Sequence, residues 1–232
     1  MIIVLKKKTV IIALIALLAV IGCAIAGGVF SAKSRTAAAG QKIIVIDAGH
    51  GGSDKGVIGK NGTVEAEKNL EISFMLKDLL EDAGFFVVMT RTTDEGADEA
   101  ANFKKEDFDR RKKTVEKASP DMLISVHCNK FPSSERRGAQ VFYNPVSDEG
   151  RNLARVLQES LNSLNSAYVG RLFDALGGEY FMLNCTPAPS VIVECGFLSN
   201  PDDEKLLCDE DYLDRFVYAI YDGIVSYLEN AM

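Results

Sequence analysis

The sequence predicts an α/β domain: one mostly parallel or mixed sheet of about six strands flanked by helices, preceded by an N-terminal transmembrane or signal helix. Three observations carry that prediction. Short continuous apolar runs, bounded by Gly, Pro and polar residues, read as strands buried on both faces. Those runs alternate with segments of helical period, the pattern of a sheet covered by helices. A longer uncharged apolar stretch stands near the N-terminus behind a cluster of lysines. With 232 residues the chain can form one such domain plus a short appendage.

The N-terminal stretch comes first. Lys6, Lys7 and Lys8 precede a run from Thr9 to Phe30 that contains no charge. At a rise of about 1.5 Å per residue, a helix of that length crosses a bilayer. The positive flank keeps the N-terminus in the cytoplasm and sends the remainder outside. Three readings are open. The run is an uncleaved anchor, or a signal peptide cut near Ala24, Ile25 and Ala26, or a lipoprotein leader ending at Cys23. All three make the rest of the chain extracytoplasmic, either membrane-anchored or secreted. Residues 1–30 form this segment, 31–41 a polar linker, and 42–232 the globular domain.

Within the domain, Lys42 to Asp47 is a buried strand ended by glycines, and residues 51–63 are a glycine-rich loop. Residues 65–83 read as a helix, with Ile72, Leu76, Leu79, Leu80 and Ala83 on one face and Gly84 as its cap. Phe85 to Thr90 is the second strand, and the polar, acidic stretch 92–107 a surface loop. A short helix from about Phe108 to Ala118 stops at Ser119 and Pro120. Met122 to His127 is the third strand and Ala139 to Tyr143 the fourth. Residues 148–164 are helical, with Leu153, Leu157, Leu161 and Leu164 aligned. Tyr180 to Leu183 reads as a short strand and Ser190 to Glu194 as a buried one. The last helix runs from Tyr212 to Leu228 along Leu213, Val217, Ile220, Ile224 and Leu228. No internal repeat or second domain is visible.

Charge and composition narrow the function. The net charge is −7, and it becomes about −10 once the three N-terminal lysines are set aside. A nucleic-acid binder usually shows a basic face, so nucleic acid is not an expected partner. The absence of Trp excludes a Trp-based sugar platform, leaving Tyr and Phe for that role. The five cysteines contain no CxxC pair, which argues against a zinc knuckle. Cys128, Cys185, Cys195 and Cys208 are expected as buried free thiols, with pairing as the alternative.

The residues that carry chemistry cluster at strand ends. The only two histidines, His50 and His127, each follow an apolar strand, and His50 stands among three glycines. In an open α/β sheet, ligands bind at the carboxyl ends of strands. Glu194 closes another strand after three apolar residues, where a carboxylate is costly to bury unless paired or bound to metal. Two imidazoles and a carboxylate suit a catalytic zinc ion with one open position. The third ligand could be Glu65, Glu67, Asp47 or Glu194, and spacing alone does not choose. Cys128 follows His127 on a strand, so their side chains point to opposite faces and a Cys–His pair is disfavoured. No GxSxG elbow, P-loop or GxGxxG pattern is present.

The motifs DAGHGG at 47–52, a glutamate before the first helix, SVHCN at 125–129 and VECGFLSN at 193–200 occur in this order along the chain. In this respect the sequence resembles the zinc-dependent N-acetylmuramoyl-L-alanine amidases of the amidase-3 type, over residues 42 to about 229. The resemblance implies one zinc ion per chain, held by His50, Glu65 and His127, with Glu194 as the catalytic base. It selects Glu65, five residues before Leu70, over Glu67. Arg91, Asp94, Arg111 and Asn129 also match recurring positions. Asp47 is expected to orient His50, and Arg91 and Arg111 either bind a peptide carboxylate or form surface ion pairs. The chain departs from the pattern at Val115 and Glu116, where an Ala-Asn pair is common.

The implied substrate is peptidoglycan: glycan strands carrying stem peptides, cut between the lactyl group of muramic acid and L-alanine. The short form with an N-terminal anchor and no wall-binding repeats is similar to germination-specific, spore-cortex amidases. The alternatives are a vegetative wall amidase for cell separation, another exported zinc hydrolase such as a carboxypeptidase or deacetylase, and a catalytically silent wall-binding protein. The lack of an obvious glycan-anchoring module leaves room for an accessory protein that supplies targeting or activation. The membrane is an expected partner through the N-terminal helix.

Overall fold

The computed structural model describes residues 37–94 and 103–230. The expected anchor over 1–30, the lipidation site at Cys23 and most of the linker lie outside the described residues. Among the described residues, no helix is long and apolar enough to cross a membrane.

The chain forms β1 (Ile43–Ala48), α1 (Glu65–Asp82), β2 (Phe86–Met89), α2 (Phe103–Ala118), β3 (Met122–Asn129), β4 (Gln140–Tyr143), α3 (Asp148–Leu164), β5 (Leu176–Gly177), β6 (Ser190–Phe197), α4 (Pro201–Leu206) and α5 (Glu210–Asn230). The strands make one six-stranded sheet in the order β2-β1-β3-β6-β4-β5. It is mixed: β4 runs antiparallel to β6, while β1 with β2, β1 with β3, β3 with β6 and β4 with β5 are parallel.

Side-chain alternation divides the sheet into two unequal faces. Ile44, Ile46, Ile124, Val126, Val191 and Val193 point to one side. There they pack on Ile72 and Leu76 of α1, Leu153, Leu157 and Leu161 of α3, and Phe216, Ile220 and Ile224 of α5. The other side carries a smaller core of Val45, Leu123 and Val115, with Met182 and Cys185. The residues one step along on this thinner face are Asp47, Ser125, His127 and Glu194, so the sparsely covered side of the sheet is the one that holds polar chemistry.

The helix ends follow local chemistry. Ser147 caps α3 by accepting from the Gly150 amide at 3.0 Å. Asn200 caps α4 by accepting from the amides of Asp202 and Asp203, with Pro201 in the first turn.

Several elements differ from the sequence expectation. Helix α2 begins five residues earlier, at Phe103, because its first turns are charged and show no apolar period. The segment at Tyr180–Leu183 is not a strand; Met182–Asn184 form a 3₁₀ turn, and a two-residue strand at Leu176–Gly177 takes the sheet edge. Helix α3 runs on into a π-helical turn at Asn165–Val169. Strands β3 and β6 extend past His127 and Glu194, which therefore lie inside the strands. Cys128, Cys185 and Cys195 are buried free thiols as expected, but Cys208 is exposed. At the departure from the family pattern, Val115 is a core residue and Glu116 sits 3.6 Å from Lys112 on the surface.

Candidate metal centre

Three side chains from separate elements meet above the end of β1 and β3. His50 lies two residues beyond β1 with φ 61, a left-handed conformation uncommon for a residue with a side chain. Glu65 opens α1, and His127 lies on β3. One ligand atom from each falls within 4.8 Å of the others. His50 Nε2 is 3.2 Å and His127 Nδ1 3.1 Å from the same oxygen, Glu65 Oε1. The two imidazoles stand edge to face, with centroids 5.0 Å apart.

The surroundings fix each member. The second Glu65 oxygen accepts from the Val57 amide at 2.8 Å, while Oε1 also accepts from the Cys128 amide at 3.2 Å. Asn69, one turn along α1 and fully buried, donates to Glu65 Oε1 and to the Gly49 carbonyl. The other ring nitrogen of His50 lies 2.9 Å from Asp54 Oδ2. Gly49 lacks a side chain for a steric reason: a Cβ there would fall on the His127 ring. A Cβ on Gly56 would likewise meet Glu65 and His50.

Electrostatics favour a cation at this point. Burial disfavours charge on His50, but Glu65 and Asp54 overrule it and raise the imidazole to about 8. Burial also pushes the Glu65 carboxyl up, yet both histidines hold it well below the usual carboxylate range. Two nitrogens and one carboxylate oxygen, converging and held by outer partners, fit the donor set of a catalytic zinc site.

Glu194 stands beside this cluster. It is the register partner of His127 on the neighbouring strand. Its Oε2 is buried without a hydrogen-bond partner. Burial pushes its carboxyl up to about 7 against the pull of His127, with the Glu65 charge adding to the rise and His50 opposing it. An unpaired buried carboxylate is expensive, which makes this position a candidate for chemistry.

The remaining expected residues fall elsewhere. Asp47 does not face His50; it takes Arg111 Nε at 2.7 Å, Ser125 Oγ at 2.6 Å and Thr90 Oγ1 at 2.8 Å. Asp54 occupies the place expected of Asp47. Its signal was weak, an acidic residue in a loop rich in glycine. Arg91 and Arg111 are neither on the surface nor open to a ligand. Both are buried, and Arg91 is spent on the carbonyls of Ala48, Gly49, Ala66 and Thr93. It thereby ties the end of β1 to the first turn of α1. Asn129 sits at the irregularity between β3 and β6, where its side chain accepts from the Lys130 amide. Asp94 pairs with Lys55 at 2.6 Å.

Residues 44–226 match the family model described as N-acetylmuramoyl-L-alanine amidase. The chain is 36% identical over 191 residues to the germination-specific N-acetylmuramoyl-L-alanine amidase of Bacillus subtilis, covering 80% of this chain and 79% of that protein. It is 30% identical to the amidase LytC of the same organism, where it spans 35% of the relative. Among solved structures it resembles the CwlD amidase from Clostridioides difficile in complex with the GerS lipoprotein. The TM-score is 0.75 at 34% identity, over 82% of this chain and 99% of that one.

Proposed function

The chain belongs to the N-acetylmuramoyl-L-alanine amidase family, and on that footing we propose that it trims spore-cortex peptidoglycan with one zinc ion bound by His50, Glu65 and His127 and with Glu194 as the catalytic carboxylate. Its activity is the hydrolysis of the amide between muramic acid and L-alanine in peptidoglycan, and zinc dependence is general in this family. The observation that carries the residue assignment is the convergence of the three donor atoms within 4.8 Å beside the unpartnered Glu194 oxygen.

When bound, zinc supplies a Lewis acid for the lactyl carbonyl and lowers the pKa of the attacking water. Glu194 accepts a proton from that water as its oxygen adds to the carbonyl carbon. Glu194 then gives the proton to the leaving nitrogen of L-alanine, so the C–N bond breaks without a covalent enzyme intermediate. Asp54 holds the His50 ring by its far nitrogen. Asn69 and the amides of Val57 and Cys128 hold the Glu65 carboxylate in register.

The cortex assignment rests on the germination-specific relative. Residues 42–232 are the catalytic domain in this reading. The 1–30 segment delivers it outside the cytoplasm, as a membrane-anchored or secreted protein. An accessory exported protein is part of the proposal, since the structural relative was solved with a lipoprotein bound.

Metal analysis and digestion of purified muropeptides by residues 31–232, wild type beside Glu194→Ala, test this reading. One zinc per chain with peptide release by the wild type alone supports it. Near-normal release by Glu194→Ala with zinc bound sinks the role of Glu194, and a folded, zinc-supplied domain that takes up no metal sinks the ligand set.

A further inference from the structure

A cavity of about 710 Å³ opens beside β4 and shares no residue with the metal cluster. Its walls include Phe131 and Arg136 from the loop after β3, Gln140 on β4, and Arg171 and Phe173 from the segment before β5. Gln140 is the antiparallel register partner of Glu194. Directly opposed residues of an antiparallel pair project from the same face of the sheet, with backbones about 5 Å apart. The cavity therefore begins one strand away from the Glu194 carboxylate, on the same side of the sheet.

Arg136 is the unusual group in it. Its guanidinium lies 4.8 Å from the centroid of Phe131 and 5.4 Å from that of Phe197. Its Nη2 donates to Gln140 Oε1 at 3.1 Å. Gln140 is 4% exposed, and its own amide nitrogen donates to the Asp174 carbonyl at 3.0 Å, which fixes its oxygen toward Arg136. Arg136 makes no ion pair with any described residue, although Glu135 and Asp174 also line the cavity. Arg111 and Arg137, by contrast, each engage two carboxylates. A guanidinium has five donors, and among the described residues only one acceptor takes from this one. Arg171, over the ring of Phe173 at 5.2 Å, adds a second cation.

We propose that this cavity is the subsite for a free carboxylate of the stem peptide, and that Arg136 receives it. This rests on the amidase reading and gives the substrate a direction. The leaving peptide runs outward across β4, toward the cavity. A guanidinium held against two rings and an amide loses little freedom when it takes a carboxylate in two parallel hydrogen bonds. The ligand class is a short acidic peptide headed by L-alanine, the product of the reaction.

Calorimetric titration of the full, zinc-loaded chain tests the proposal. The probes are an L-alanine-headed tripeptide with free carboxylates and the same peptide with every carboxylate amidated. The wild type is expected to prefer the acid by about tenfold or more. Arg136→Gln is expected to lose that preference while its affinity for the amide changes less than about twofold, and Arg136→Lys to keep part of the preference. Matched melting temperatures establish that the variants fold; should Arg136→Gln fail to fold, Arg136→Lys and the wild-type preference decide. Equal or absent wild-type binding of the two peptides, or an undiminished preference in Arg136→Gln, overturns the proposal. Failure of the amidase reading shows separately, as no peptide release from muropeptides by zinc-loaded wild type.

Discussion

Asp47 and Arg111 form a buried two-point ion pair beneath the metal cluster: Nε meets Oδ1 at 2.7 Å and Nη2 meets Oδ2, with both side chains out of water. The pair joins β1 to α2, which otherwise touches the sheet through few apolar residues.

This pair predicts acid sensitivity. Burial pushes the Asp47 carboxyl up, but Arg111 and Ser125 outweigh it and hold it well below its ordinary value of 3.8. The folded state thus resists protonation that the unfolded state accepts. The pair's contribution is complete above about pH 4 and is lost as pH falls from there toward the folded-state value. Denaturation of the wild type across pH 2–7 should show a steeper acid loss than Asp47→Asn. At neutral pH the variant should be less stable by about 3–5 kcal/mol, because Arg111 is left buried without its main partner.

Asp54→Asn should weaken zinc binding by about 10–100-fold while the fold persists, since the carboxylate 2.9 Å from His50 Nδ1 sets the orientation of that ring. Competition with a chromogenic chelator measures this. An unchanged zinc affinity would show that the loop alone positions His50.

Gly49→Ala should lower zinc affinity by about tenfold or more and destabilise the domain by about 1–3 kcal/mol. The added methyl falls on the His127 ring and forces it from its place beside Glu65. Chelator competition and thermal melting, read together, separate the two effects.

Glu204→Ala should disturb the metal site from a distance. Glu204 is 1% exposed, and its carboxylate accepts from the amides of Asn61 and Thr63, the turn that leads into Glu65. Removing it leaves part-buried donors to be satisfied by water, at a cost of about 1 kcal/mol, and frees the turn. Hydrogen exchange should rise over residues 57–64. Protection equal to the wild type would assign the turn's order to its own hairpin bridge between Ile58 and Val64.

Much of the fold was legible because its central strands are uninterrupted apolar runs. β1, β3 and β6 could be read from Ile, Val and Leu alone, and α3 was placed at 148–164 by its leucine spacing. The direction of β4 was not legible, since strand periodicity is the same whichever way a strand runs. Tyr180–Leu183 misled because aromatic residues favour strands, whereas Tyr180 here packs edge-on against Phe142 and the chain then turns as a 3₁₀ helix. In the site, the histidines stood out because each comes at the end of an apolar run. Glu65 was distinguished from Glu67 only through family resemblance. Asp54, Asn69 and Glu204 were invisible because each acts through a contact with a loop or turn whose path no local pattern describes.

The strand order also ties the integrity of the sheet and the completeness of the site to one late strand. β6 is eighth from the start among the longer elements, yet it sits between β3 and β4 in the middle of the sheet and carries Glu194. A chain made from its N-terminus already contains His50, Glu65 and His127 well before that strand exists. Until it arrives, the sheet has a gap at its centre, the carboxylate is missing and Gln140 has no neighbour to face. A chain lacking β6 would therefore lose the centre of its sheet and the carboxylate opposite His127 together.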